Sequence, residues 1–506
     1  MTRTKEGFQY IKATGQLTQG FECEGAVSPA SSFRSVASSH FDLIVIGAGY
    51  AGLVAARDAT LSGLSVLLLE ARDRVGGRTW TAKDSESEIF EMGGTWVHPQ
   101  QGFVWRELHR YGIDRDIKIT PNEDYPSHAV NVTRRKGVEY RQGFAENFDM
   151  LDAALARFMD IDVARSVVPF PPHILDSIAS DPLLVAKYDK MSVADRVREV
   201  EAAALLTEQE LGYIIPFIEL SFGALAENCS YLEWIKWYIH GNCSYRLLAD
   251  MLWVYKLKNG QSHLARKIFD EANSTGRLSY SFENVVQKVI DRPSSTKVVT
   301  SRGTFCASRV ISTLPLNVAS KVEFDPPLSA LRLEAFAIGH VNKGHKIHNE
   351  LMKKEFKSGV WNLADDLPLK RHLAAGFGDQ ILQNGNSTVV AFGLANDPEE
   401  VPSKDPSQIP RWLGNLDKSL EQSYVGSIWH EWIADPFAEG TWAMAPPGFT
   451  TKYHKELQTR TGNVLWASAD WADGWKGFID GACEQGGRAA HVVVEEWRAG
   501  FGRSKL

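Results

Sequence analysis

Long apolar runs are missing from this chain: no stretch of about 18 or more apolar residues occurs, so nothing in it is long enough to span a bilayer as a helix. Lys/Arg-rich stripes are missing too, and a formal net charge of -7 leaves no basic face for a phosphate backbone, so nucleic acid is not an expected partner. Cysteine is scarce. The five thiols, Cys23, Cys229, Cys243, Cys306 and Cys483, are odd in number, scattered and without a CxxC pair, which argues against a disulfide framework and a metal site and makes reduced thiols in an intracellular compartment the expectation. The N-terminus has no charged head followed by an apolar run of signal-peptide length, so the Asn-x-Ser/Thr triplets at Asn131 and Asn273 are not expected to be glycosylated.

What is present is enough for a large core: 506 residues with 44% hydrophobic and 10% aromatic content suggest two or three domains. Residues 1–40 are rich in Ser, Thr, Gly and Gln without sustained periodicity and read as a flexible or loosely docked leader. From Phe41 the pattern changes. Phe41 to Ile46 is a short apolar β-run, Gly47 to Gly52 a tight turn, Leu53 to Ser62 a helical stretch, and Ser65 to Glu70 a second strand. A mainly helical middle follows, then alternating segments near Val285 to Ile290, Thr296 to Thr300 and Arg309 to Thr313. Phe336 to Leu351 is a segment of open type, Val389 to Leu394, Ser427 to Trp432 and Val464 to Ala467 read as strands, and Gly481 to Trp497 as a helix. The chain closes on Ser504-Lys505-Leu506, the tripeptide read by the peroxisomal import receptor, so a peroxisomal matrix address is expected.

The chemistry begins at Gly47-Ala48-Gly49-Tyr50-Ala51-Gly52, whose glycines stand where a chain must turn tightly, approach a pyrophosphate and pack a helix on a strand. A helix N-terminus placed there points free N–H groups at phosphate oxygens. Glu70 ends the second strand 18 positions after Gly52, where a carboxylate can accept from ribose hydroxyls.

The extension Ala71-Arg72-Asp73-Arg74-Val75-Gly76-Gly77-Arg78-Thr79 then resembles the flavin amine oxidase family, in which Arg72, Arg78 and the Gly76-Gly77 backbone would lie along an FAD pyrophosphate. The likeness runs from Phe41 to Trp497. Glu91-Met92-Gly93-Gly94-Thr95-Trp96 is similar to the segment that approaches the isoalloxazine ring, Val286 stands where the family holds adenine with backbone groups, and Trp466 to Asp470 with Trp475 to Ala482 resembles the second flavin motif. The resemblance implies that Asp470 reaches the ribityl or phosphate region, that the Ile479 backbone meets the ring, and that Trp432 packs at its edge. Implied fold: α/β, an FAD-binding Rossmann-type domain (41–121, 258–330, 434–498) interleaved with an α+β substrate-binding domain (122–257, mainly helical, and 331–433), with a tail at 499–506.

Within the family the likeness is greatest to monoamine oxidases, in particular the soluble peroxisomal ones of filamentous fungi, through Gly440-Thr441-Trp442-Ala443-Met444-Ala445-Pro446-Pro447-Gly448. Animal members attach FAD through a Cys where this chain has Thr441, so FAD is expected to be held without a covalent link. Trp442 and Phe478 match the two aromatic-cage positions that flank the amine, and Lys343 matches the lysine that contacts flavin N5 through water. The implied reaction is oxidation of a small-molecule monoamine by O2 to an imine, then aldehyde and ammonia, with peroxide as co-product. A polyamine or L-amino-acid oxidase and a catalytically silent FAD-binding protein remain open alternatives, as does a homodimer for the assembly.

Overall fold

A computed structural model describes residues 2–33, 40–120, 130–160, 181–352, 359–364, 373, 375–394 and 401–501. Two large sheets organise them. In the first, five parallel strands run in the order Leu278–Ser281, Val66–Leu69, His40–Ile46, Gly303–Ser312 and Val464–Trp466, and an antiparallel ribbon of Ser295–Thr300 and Val286–Arg292 extends the sheet from Gly303–Ser312. Parallel strands are covered on both faces and therefore read as continuous apolar runs. Leu43 to Ile46 and Val66 to Leu69 are buried without alternation. Helices Tyr50–Leu61 and Ile479–Glu496 pack together over one face.

The second sheet has eleven strands among the described residues and corrects one expectation. Residues expected to form a leader are strands Arg3–Ile11 and Gln16–Glu22, an antiparallel hairpin whose Phe8 to Ile11 pair with Gly426 to Trp429. Thr4, Tyr10 and Phe21 are buried and Phe8 stacks on Trp429 at 5.7 Å, so a half-buried strand carries polar residues on its outer face and its composition hides it. Strands Thr81–Lys83 and Ile89–Glu91 also join this sheet rather than the parallel one.

Helices Phe144–Met159, Glu208–Phe222, Tyr231–His240 and Tyr245–Trp253 share one apolar core beside the second sheet. Thr207 and Glu210 form a capping box that fixes where Glu208–Phe222 begins, and that start determines which of its residues reach the cavity described below. The segment of open type resolves into helix Ala330–Ile338 and strand Gly344–Leu351.

Candidate active site

A cavity of about 580 Å³ runs from the Gly47–Gly52 turn to the helical layer, within the size range of cofactor and ligand sites. At its nucleotide end Gly47 has φ +100°, and a Cβ there would stand 2.4 Å from Thr313 Oγ1. Gly52 does not line the cavity as expected. A Cβ on it would lie 1.9 Å from the Gly47 carbonyl oxygen, so its glycine lets the helix close on the turn. Helix Tyr50–Leu61 starts at Gly49 with no side-chain cap, leaving its first N–H groups for the cavity beside Gly49 and Ala51. Glu70 accepts from the Ala48 N–H at 2.6 Å and the Arg72 N–H at 2.9 Å, and burial pushes its carboxyl up. Ala71, Gly77 and Val286 line the same end.

Two arginines expected on the pyrophosphate have protein partners. Arg78 lines the cavity and donates to the Thr441 carbonyl at 2.8 Å and to Asp470 Oδ1 at 2.5 Å. Asp470 is not itself on the wall: its second oxygen accepts from the Leu316 N–H at 2.8 Å, so it orients Arg78 instead of facing the cavity. Arg72 also lines the cavity, but its guanidinium is paired with Glu6 and, through two bonds of 2.7 and 2.9 Å, with Asp435. Burial alone would lower it, yet these carboxylates hold the charge in place.

At the other end Gly94, Thr95, Trp96, Trp432 and Ile479 form the wall, Trp432 anchored by its indole N–H on the Met92 carbonyl at 2.8 Å. Helix Ile479–Glu496 begins here with Phe478 as an N-cap that makes no side-chain bond, a second uncapped helix start facing the cavity.

Lys343 is not brought to this wall. It lies half-buried outside the main cavity, and its ammonium donates to the Glu439 carbonyl at 2.9 Å. The lysine inside is Lys346, which donates to Thr95 Oγ1 at 2.6 Å and the Gly93 carbonyl at 3.3 Å and sits 5.2 Å from the Trp96 ring. Burial, against the pull of the Glu91 and Asp379 carboxylates, lowers the Lys346 ammonium below the ordinary lysine range. Lys343 precedes the strand that starts at Gly344, whereas Lys346 lies within it and so reaches the wall.

Trp442 and Phe478 both line the cavity. The Trp442 indole donates to the Ser221 carbonyl at 2.8 Å. Phe478 is held between Trp237, centroids 5.1 Å apart, and Trp475 at 5.0 Å. Phe217, Leu220, Trp253 and Phe392 complete an aromatic and apolar chamber.

The residues present fit FAD. One uncapped helix start stands at a phosphate-sized turn and a second opens at the other end of the cavity, an acid ends the second strand, and apolar walls suit a ring system. The wall carries no cysteine among the described residues and the Thr441 hydroxyl is spent on Asn342 Oδ1, so the cofactor is bound without a thioether.

Residues 50–494 match the family model for flavin containing amine oxidoreductases. Pseudooxynicotine dehydrogenase of a Pseudomonas species is 32% identical over 461 residues, covering 90% of this chain and 86% of that protein. Nicotine dehydrogenase of Pseudomonas putida is 28% identical over 508 residues, 98% of each. Among solved structures, putrescine oxidase bound to putrescine superposes with a TM-score of 0.72 at 21% identity, covering 90% of this chain and 99% of that one.

Proposed function

The chain belongs to the flavin-containing amine oxidoreductase family, with an α/β fold and FAD as cofactor, and from that premise we propose that it oxidises bulky, apolar primary or secondary monoamines with O2. The products are an imine, which water converts to aldehyde or ketone and ammonia or amine, and hydrogen peroxide.

One observation carries the choice of substrate. Among the described lining residues the only carboxylate is Glu70, at the nucleotide end, and the only arginines are Arg72 and Arg78, both paired to acids. The chamber around Trp442 and Phe478 therefore offers no anion for the second ammonium of a polyamine and no guanidinium for an amino acid's carboxylate. Burying either charge unpaired is costly.

When bound, FAD accepts two electrons from the amine's α-carbon and passes them to the acceptor. The protein's part is to hold and dry the substrate. Trp442 and Phe478 flank a neutral amine with π faces, and Ser221 and Trp237 keep those rings in place. The amine must enter without its extra proton, since the apolar chamber disfavours an ammonium. Lys346 holds a proton donor at the Gly93–Thr95 wall, where the resemblance places the flavin ring.

Two relatives are named as dehydrogenases, which favours a second reading of the acceptor, a carrier other than O2. Steady-state assays with benzylamine, hexylamine, a bulky cyclic secondary amine, spermine and an L-amino acid, each followed by O2 uptake, peroxide yield and reduction of an artificial dye, separate these readings. Turnover of the monoamines with one peroxide per amine supports the proposal; turnover of spermine or the amino acid alone removes it.

The peroxisomal address rests on Ser504-Lys505-Leu506, which lies outside the described residues. A fluorescent fusion with the tripeptide intact is expected in peroxisomes and, without it, in the cytosol.

A further inference from the structure

Strand Arg3–Ile11 meets the Glu70–Gly77 loop residue against residue. Thr4 Oγ1 donates to Asp73 Oδ1 at 2.6 Å, the Lys5 N–H donates to Asp73 Oδ2 at 2.9 Å, and Glu6 takes the guanidinium of Arg72 and, at 2.6 Å, that of Arg74. Both arginines are buried.

From there the contacts run to the phosphate turn on both sides. The Arg72 N–H holds one oxygen of Glu70, whose other oxygen holds the Ala48 N–H. Arg74 donates to the Gly77 carbonyl at 2.9 Å and lies 4.8 Å from the Trp80 ring, while Gly77 is packed so close to Gly49 that a Cβ on it would stand 3.1 Å from the Gly49 Cα. The far end of the same strand pairs with Tyr424–Trp429, and that strand with Gly344–Leu351, which carries Lys346. One strand thus ties the loop beneath the nucleotide end to the sheet that carries the lysine of the other end.

We propose that the N-terminal hairpin is a clasp for the cofactor, in which Glu6 is a positioning residue that holds Arg72 and Arg74 and through them sets how long FAD stays bound. Arg72 has a second acid in Asp435, whereas Glu6 is the one carboxylate within ion-pair distance of Arg74 among the described residues. Neutralising it leaves a buried guanidinium without a counter-charge, a state costly enough to drive that side chain toward water and take the Val75–Gly77 backbone with it. Burial alone would raise the Glu6 carboxyl, but Arg74 and Arg72 outweigh it and hold it at about 2, so the clasp stays charged at neutral pH.

The test is FAD release from purified holoenzyme, followed by the rise in free-flavin fluorescence after dilution, for the wild type, Glu6→Gln and, as a control at the exposed hairpin tip, Thr14→Ala. Release is expected to quicken by about tenfold or more in Glu6→Gln, the equivalent of ~1.4 kcal/mol, with Thr14→Ala unchanged and with the absorption bands of the retained flavin unmoved, since the ring end is untouched. A wild-type release rate in Glu6→Gln, or faster release accompanied by shifted flavin bands, overturns the proposal. If Glu6→Gln does not yield folded protein, Thr4→Val, which removes the hydroxyl's bond to Asp73 and the acceptor it offers the Glu6 N–H, is read in the same way: a raised release rate supports the clasp and a wild-type rate rejects it.

Discussion

Lys346 Nζ lies 2.6 Å from Thr95 Oγ1 on the cavity wall, whereas Lys343, three residues earlier, gives its ammonium to the Glu439 carbonyl outside it. Their variants are expected to diverge. Lys346→Met should lower turnover by about a hundredfold, the scale seen when a preorganised donor is removed from a reacting centre, while Lys343→Met keeps wild-type turnover to within a small factor. Steady-state rates for the two proteins, each checked for full flavin content, decide between the two lysines.

The pH dependence follows from the same burial. A buried ammonium is destabilised relative to the neutral amine, so Lys346 loses its proton at a lower pH than an exposed lysine despite Glu91 and Asp379 nearby. Reoxidation of the enzyme by O2, measured by stopped-flow after reduction with one equivalent of amine, is then expected to slow as pH rises through that ionisation. In Lys346→Met the same rate should be independent of pH; a parallel decline in both proteins would assign the ionisation elsewhere.

Gly49 and Gly52 differ in what a methyl group would meet. At Gly52 a Cβ would stand 1.9 Å from the Gly47 carbonyl oxygen, so Gly52→Ala is expected to disrupt the turn and yield little folded protein. At Gly49 the nearest atom to a Cβ, outside its immediate neighbours, is the Gly77 Cα at 3.8 Å, so Gly49→Ala should fold. Because Gly49 lines the cavity at the helix start, that variant should nevertheless bind FAD at least about tenfold more weakly, a loss of ~1.4 kcal/mol. Circular dichroism and FAD titration of the apoprotein check both halves.

The strand–turn–helix from His40 to Leu61 was legible because its signals are local: an apolar run, three spaced glycines and a helix start within some twenty residues. Glu70, Val286, Trp442 and Phe478 followed from motif position and all reach the cavity. What was not legible depends on partners far away in the chain. Arg72 meets Glu6 and Asp435, 66 and 363 residues distant, and the hairpin is a strand because Gly426 to Trp429 and Asp73 receive it. Lys346 was missed for a smaller reason, a strand boundary at Gly344 that no local pattern marks.

Lys256 and Asp379 form a buried ion pair behind Lys346, with His348 Nδ1 3.9 Å from Asp379. Burial alone would raise the Asp379 carboxyl, but Lys256 and His348 outweigh it and hold it far below the ordinary carboxylate range. Its contribution to stability is therefore present above the unfolded value of about 3.9 and is lost as pH falls toward the depressed folded one. Lys256→Met removes the carboxylate's direct ion-pair partner and leaves it buried, and is expected to cost about 3 kcal/mol by denaturant titration at neutral pH. Lys256→Met/Asp379→Leu should recover most of that loss; no recovery would place the cost in packing rather than charge.

Anaerobic mixing of the holoenzyme with a bulky apolar monoamine, read as the loss of flavin absorbance, tests the central claim most directly. Complete bleaching within the time of one turnover, return of the colour on admitting air, and one peroxide released per flavin are the results this structure predicts. A flavin that stays oxidised with monoamines yet bleaches with spermine or an L-amino acid would contradict the reading of a chamber that, among the described residues, holds neither carboxylate nor free guanidinium beside Trp442 and Phe478.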